Sequence, residues 1–198
     1  PLLEENGMIV PVSRWALRQA LHQVRTLQRA GQPTLRLAFN LSSRQFRDVE
    51  LLQDVTAALD EAGFDPTLLE LELTESALMD NPDASAAVLE ALRARGIRVA
   101  VDDFGTGYSS LAYLMRFPVR TLKIDRSFVY QMERSKEAAT IVRAIASLAR
   151  SLGLELIGEG VENVGQLALL QEVGCHQVQG FLFSRPVTGA ELALSFPH

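Results

Sequence analysis

Apolar residues recur along this chain in two alternating rhythms. From Pro11 onward, Trp15, Leu17, Leu21, Val24 and Leu27 follow helical spacing and stop at Gly31, which predicts one helix with a glycine C-cap. After Pro33 the run Leu35 to Leu41 predicts a strand; a helix over Leu51 to Ala62, stopped by Gly63, and a strand over Leu69 to Thr74 follow. The pattern then gives a helix over Ala84 to Arg95, a strand over Arg98 to Asp102, a short helix near Ser109 to Met115 and a strand over Thr121 to Ile124. A long helix, Lys136 to Leu152, is closed by Gly153. Strand Glu155 to Gly158, helix Asn163 to Val173 and a strand near Gln177 to Gln179 complete the series.

Strands separated by helix-length connections cannot pair as hairpins, so they are expected to lie parallel in an α/β sheet, either closed as a barrel or open and doubly wound. The polar residues favour the barrel. Asn40, Asp102, Asp103, Lys123, Glu159 and Gln179 all fall at or just past the carboxyl end of a strand, where a closed barrel gathers them on one rim. An open sheet would spread them along an edge. About six strands are legible against the eight of a (β/α) barrel. The shortfall is expected at the front, which predicts one domain over residues 1–198 that is a TIM-like barrel incomplete at its N-terminal end.

Composition narrows the chemistry. At 198 residues, 47% hydrophobic and 22% charged, the chain is long and apolar enough for one soluble domain with a real core. No run of eighteen apolar residues and no signal-peptide pattern occurs, so a cytoplasmic site is expected, in a parent protein that itself can still be membrane-anchored. The single cysteine, Cys175, forms no disulfide within the chain, and His22, His176 and His198 are too scattered for a zinc site. A net charge of −5 argues against binding polymeric nucleic acid. A phosphate-bearing ligand would then need a local cation to offset the acids.

Several strand-end residues carry candidate chemistry. In Leu-Glu-Leu-Glu-Leu-Thr, Glu70 and Glu72 project to one face, and a carboxylate pointing into a covered parallel sheet must be paired or metal-bound. Asp102 and Asp103 end an apolar run and precede Phe104-Gly105-Thr106-Gly107. Adjacent acids raise each other's pKa unless a cation sits between them, and the alternative is a turn or helix-cap role. Lys123 and Asp125 flank Ile124 on one face, either in a site or as a structural ion pair. Glu159, between Gly158 and Gly160, is by itself an ordinary loop acid or a ligand-facing one. Ile141, Ile145, Leu148 and Leu152 are expected as core of the long helix; Trp15 and Cys175 are assigned to the core, and His176 to structure.

The motifs together resemble a known family. Asn40-Leu41-Ser42, Glu72-Leu73-Thr74-Glu75-Ser76, Asp102-Asp103-Phe104-Gly105-Thr106-Gly107-Tyr108-Ser109-Ser110-Leu111, Leu122-Lys123-Ile124-Asp125, Glu159-Gly160-Val161-Glu162 and Gln179-Gly180-Phe181 occur in the order and approximate spacing of the EAL domain. The opening Pro1 to Gly7 also resembles a segment that follows the motif naming that family. The resemblance implies metal-dependent hydrolysis of cyclic di-GMP to linear pGpG with two Mg²⁺ or Mn²⁺ ions, hard cations suited to oxygen ligands. It implies that Asn40, Glu72 and Asp102 bind one ion and that Asp102 bridges to a second held by Asp103. Lys123 would orient or polarise the attacking water, Glu159 would assist at the metals, and Asp103 shares in the catalysis. Gln179 and Asp125 are placed on the substrate side, and Glu75 anchors the loop after Asp103.

One departure is plain. The Glu-Ala-Leu motif, with its metal ligand and a neighbouring phosphate-binding arginine, is absent, which is read as a missing front end and predicts weak metal binding by the chain as given. Ca²⁺ is expected to bind but to support hydrolysis poorly. The competing reading is a catalytically dead EAL domain that acts as a cyclic di-GMP receptor or a dimerisation module. Dead relatives usually lose acids near the Asp-Asp-Phe-Gly segment or its anchoring Glu, and Asp102, Asp103 and Glu75 are all present here. The resemblance further implies a homodimer and leaves room for sensory or GGDEF domains upstream.

Overall fold

A computed structural model describes residues 7–107 and 111–194. Six strands form its sheet: β1 (Leu37–Asn40), β2 (Leu69–Thr74), β3 (Arg98–Phe104), β4 (Thr121–Ile124), β5 (Glu155–Gly158) and β6 (Gln177–Val178). They stand in the order β1-β2-β3-β4-β5-β6, every neighbouring pair parallel. That order decides between the two architectures. A doubly wound sheet reverses its strand order at a switch point, whereas a barrel adds each strand on the same side of the last. The chain winds one way only, and among the described residues β1 and β6 remain the two edges of an incomplete barrel.

Among the described residues, ten α-helices connect and cover the strands: α1 (Ile9–Arg29), α2 (Ser43–Phe46), α3 (Leu51–Ala62), α4 (Glu75–Met79), α5 (Pro82–Ala94), α6 (Leu111–Leu114), α7 (Arg126–Gln131), α8 (Lys136–Leu152), α9 (Val164–Glu172) and α10 (Gly189–Leu194). Leu69, Leu71, Leu73, Leu122 and Ile124 are fully buried in the sheet. Glu70, Glu72, Thr121 and Lys123, which alternate with them on β2 and β4, are buried as well. Both faces of these strands are therefore covered, and the charged ones point into the barrel interior.

Two core assignments need correction. Trp15 is 63% exposed, because α1 buries Ser13, Leu17 and Leu21, and a residue two positions before Leu17 stands roughly 200° around the helix from it. Ile141 is also exposed, since α8 buries Ala138, Val142, Ile145, Ala146 and Ala149. Its alanines let the helix lie close to the sheet, which turns the large side chains at 141 and 148 away from the deepest part of the seam.

The periodicity also missed short helices that start directly at strand ends. Thr74 caps α4 by accepting from the Ala77 N–H at 3.4 Å, and Asp125 caps α7 by accepting from the Ser127 N–H at 2.9 Å. Ser42 and Gln45 make a reciprocal capping box that opens α2, an S-x-x-Q signature visible in the sequence. Tyr108, Ser109 and Ser110 of the third motif, and the opening residues 1–6, lie outside the described residues.

Candidate active site

Lys123 stands at the centre of the carboxyl-end rim. Its side chain is 2% exposed, and Nζ lies 2.7 Å from Glu72 Oε2, 2.5 Å from Glu159 Oε1 and 3.3 Å from Asp102 Oδ1. Strands β2, β3, β4 and the end of β5 thus each contribute one of these four groups. Burial by itself pushes this amine toward its neutral form, but the hydrogen bonds it donates to Glu159 and Glu72 outweigh that and hold Lys123 firmly cationic. The structural pair with Asp125 that the sequence allowed does not form; Lys123 turns inward and Asp125 caps α7.

A β-bulge presents the adjacent acids. The pairing of β3 with β4 shifts register between Val101 and Phe104, so that two residues bulge where the ladder should continue. Asp103 adopts φ 53°, a left-handed conformation that among non-glycine described residues occurs here alone. Asp102 Oδ1 accepts from the Asp103 N–H at 3.0 Å, which fixes the bulge from within. The outcome is a cluster: carboxylate oxygens of Asp102, Asp103 and Glu159 lie within 4.8 Å of one another.

The electrostatics follow from crowding. Burial raises the pKa of Glu72 and of Glu159, and hydrogen bonding to Lys123 only partly offsets it because one ammonium serves several acids. Asp103 is raised by burial and then by the charges of Asp102 and Asp125. For Asp125 burial acts upward, yet hydrogen bonds from the Ser127 hydroxyl and N–H outweigh it and lower the pKa.

Supporting contacts surround this centre. Glu75, 2% exposed at the start of α4, accepts the Gly105 N–H on Oε2 at 2.9 Å, and its buried Oε1 has no hydrogen-bond partner and faces the Gly107 turn. Gln179 Nε2 donates to Glu159 Oε1 at 2.6 Å. Asn40 lies exposed at the end of β1, directly opposite Glu72 in the strand register.

Comparison with known proteins supplies the family. The sequence profile of the EAL domain matches residues 1–186. The chain belongs to the EAL domain family. It is 46% identical over 191 residues to the cyclic di-GMP phosphodiesterase NbdA of Pseudomonas aeruginosa, covering 96% of this chain and 24% of that protein. It is 43% identical over 195 residues to the bifunctional diguanylate cyclase/cyclic di-GMP phosphodiesterase MucR of the same organism, covering 98% and 28%. The chain thus spans about a quarter of the length of these relatives. Among solved structures, the PaMucR phosphodiesterase in complex with c-di-GMP superposes with a TM-score of 0.95 at 43% identity, over 97% of this chain and 78% of that one. A manganese/cy-diGMP complex of Klebsiella pneumoniae BlrP1 gives a TM-score of 0.82 at 31% identity, over 91% and 45%.

The donor set of this EAL domain fits hard divalent cations. Three carboxylates within reach of one ion match the oxygen ligands such cations take, and they stand where a bulge has brought them together at the cost of a left-handed aspartate. Sequence reasoning missed one supporting residue of this EAL site. Gln166, 2% exposed on α9, accepts the Glu162 N–H at 2.7 Å and closes a capping box with Asn163, so it holds the loop that follows Glu159. The N-x-x-Q spacing is the signal that could have found it.

Proposed function

We propose that the domain to which this chain belongs hydrolyses one phosphodiester bond of cyclic di-GMP to give linear pGpG, with two divalent cations, Mg²⁺ or Mn²⁺, at its rim. The observation that carries this reading is a charge imbalance. Glu72, Asp102 and Glu159 share the single ammonium of Lys123, and Asp103 stands beside Asp102 and Glu159, so more carboxylates meet here than one side-chain cation can offset. The cyclic di-GMP phosphodiesterases among the relatives and the nucleotide complexes among the structural neighbours support the choice of substrate.

Asn40, Glu72, Asp102 and Asp103 would hold the ions, with the Glu159 carboxylate beside them. Bound there, the cations lower the pKa of water and neutralise the phosphate. Lys123, kept cationic by its acids, orients the attacking water and the phosphoryl oxygens. Glu159, held beside Lys123 at the rim, would take the water proton as the new O–P bond forms. The P–O3′ bond breaks, and the 3′ oxygen leaves as a hydroxyl with a proton from solvent. Gln179 holds Glu159 in place, Asp125 lies on the substrate side, and Glu75 tethers the loop after Asp103. The presence of Asp102, Asp103 and Glu75 favours this reading over a receptor without activity.

Replacing Asp102 with Asn in the protein carrying this domain, assayed with Mn²⁺ and cyclic di-GMP, should cut turnover by about 10²-fold or more. Turnover equal to wild type would overturn the assignment. Homodimerisation and a cytoplasmic site belong to the same proposal; light scattering and cell fractionation test them.

A further inference from the structure

Away from the acid cluster, α2 and α3 face α4 and α5 across a separate opening. A cavity of about 520 Å³ lies between them, shares no residue with the cluster and falls within the size range of small-molecule sites. Its walls are mostly apolar. Phe46, Leu52 and Val88 line it together with Ala84, Ala87 and Ala91 of α5. The alanines recur at helical spacing over two turns, about 10 Å of helix, and side chains this short leave the gap to α3 unfilled.

Loose packing accounts for a gap between small side chains, but not for Ser85. This residue lines the cavity and is 4% exposed, and among the described residues its hydroxyl makes no hydrogen bond. Leu89 and Leu92, one and two turns further along the same side of α5, are fully buried, so a hydroxyl stands where the helix otherwise places core leucines. Hydroxyls elsewhere in the helices, at Thr26, Thr56, Thr140 and Ser151, each donate to the carbonyl four residues back; Ser85 does not. A buried hydroxyl without a partner is costly, so the position calls for an atom that the protein itself does not supply. Asn81 adds to this demand. Its Oδ1 caps α5 by accepting from the Ala84 N–H at 3.3 Å, and among the described residues its Nδ2 has no acceptor.

Charge narrows the ligand further. The charged residues of the lining are Arg47, Asp48 and Asp80. Arg47 is paired with Asp80, and Asp48 accepts from Arg14 at 3.0 Å, so each already has its counter-charge. An ionic head group would meet no unmatched charge here, whereas a carbonyl oxygen would meet two donors that lack an acceptor. We propose that this cavity binds an uncharged, mainly apolar small molecule, whose one carbonyl oxygen accepts from Ser85 and Asn81 while its body lies along Ala84, Ala87 and Ala91. The inference stands apart from the proposed hydrolysis and does not depend on it.

The test titrates prodan, an uncharged naphthalene that carries one ketone and emits at shorter wavelength away from water, into the protein carrying this domain. Wild type should bind it saturably with a blue-shifted emission. Ser85→Ala should weaken that binding by about fivefold, the effect of one lost hydrogen bond. Ala87 is exposed and lines the cavity, so Ala87→Trp fills the space without entering the core and should remove the binding. Ala144→Trp, at an exposed position of α8 outside the cavity, should bind as wild type does. No saturable binding to wild type, or binding that Ala87→Trp leaves unchanged, overturns the site. Binding that Ala87→Trp removes but Ser85→Ala leaves unchanged overturns the carbonyl contact and with it the proposed ligand class.

Discussion

Removing the ammonium of Lys123 while keeping its length, as in Lys123→Met, leaves Glu72 and Glu159 buried without their shared counter-charge. Breaking a buried pair from one side costs about 3–5 kcal/mol when the orphaned group must stay charged. Here the acids have an escape, since they can take up protons. The variant should therefore lose about 3 kcal/mol in urea denaturation at pH 8 and progressively less as the pH is lowered, because Glu72 and Glu159, raised by burial, then take up protons. An equal loss at every pH would mean that packing of the lysine stem, and not its charge, dominates. The same residue marks what the sequence could and could not convey. That Lys123 lies on an inward face was readable from strand alternation; that it serves three acids on three other strands was not, because strand-to-strand register is a tertiary property.

At the scale of elements, the loop between β3 and α6 depends on α4. Glu75 opens α4 and its carboxylate holds the Gly105 N–H, so a six-residue strand and a five-residue helix together position the bulge that carries Asp102 and Asp103. Glu75→Ala should speed hydrogen exchange of the amides of residues 103–107 by about tenfold or more, with β2 unchanged, and Glu75→Gln should retain most of the protection through its amide oxygen. Uniformly faster exchange across β2 and β3 would instead indicate general destabilisation. Elements of this kind separate the legible from the hidden. Strands β2, β4 and β5 and helices α3 and α8 match their sequence-predicted bounds residue for residue, because glycines and apolar alternation mark them. The bulge in β3 left no such mark, since the register shift arises from pairing with β4. Helices α4 and α7 are too short for periodicity to register, although their caps, Thr74 and Asp125, stood in plain view.

For the whole molecule, the crowded acids of the site are a standing cost that bound cations would relieve. Glu72, Glu159 and Asp103 all have pKa values raised above those of unfolded carboxylates, with burial as the leading cause. The sign follows from linkage: a carboxylate with a raised folded pKa favours folding while protonated in both states, and that contribution is lost as pH rises through the folded value. The metal-free protein should therefore lose stability from these groups as pH climbs out of the acid range. Divalent cations of the proposed site would act in the opposite direction, because they would bind only the deprotonated, assembled cluster and so stabilise the folded state by mass action. Saturating Mn²⁺ should raise Tm by several degrees at pH 8 and by much less at pH 5, where protons compete for the same oxygens. The open sheet sharpens the test. Its edges, β1 and β6, hold Asn40 and the approach to Gln179, whereas the clustered acids sit on β3 and the end of β5, inside the continuous part of the sheet. A Mn²⁺ shift that persists in Asn40→Ala but vanishes in Asp103→Asn would place the tighter ion on that interior cluster; the reverse pattern would place it at the β1 edge, and no shift in wild type at pH 8 would show that the clustered acids hold no ion.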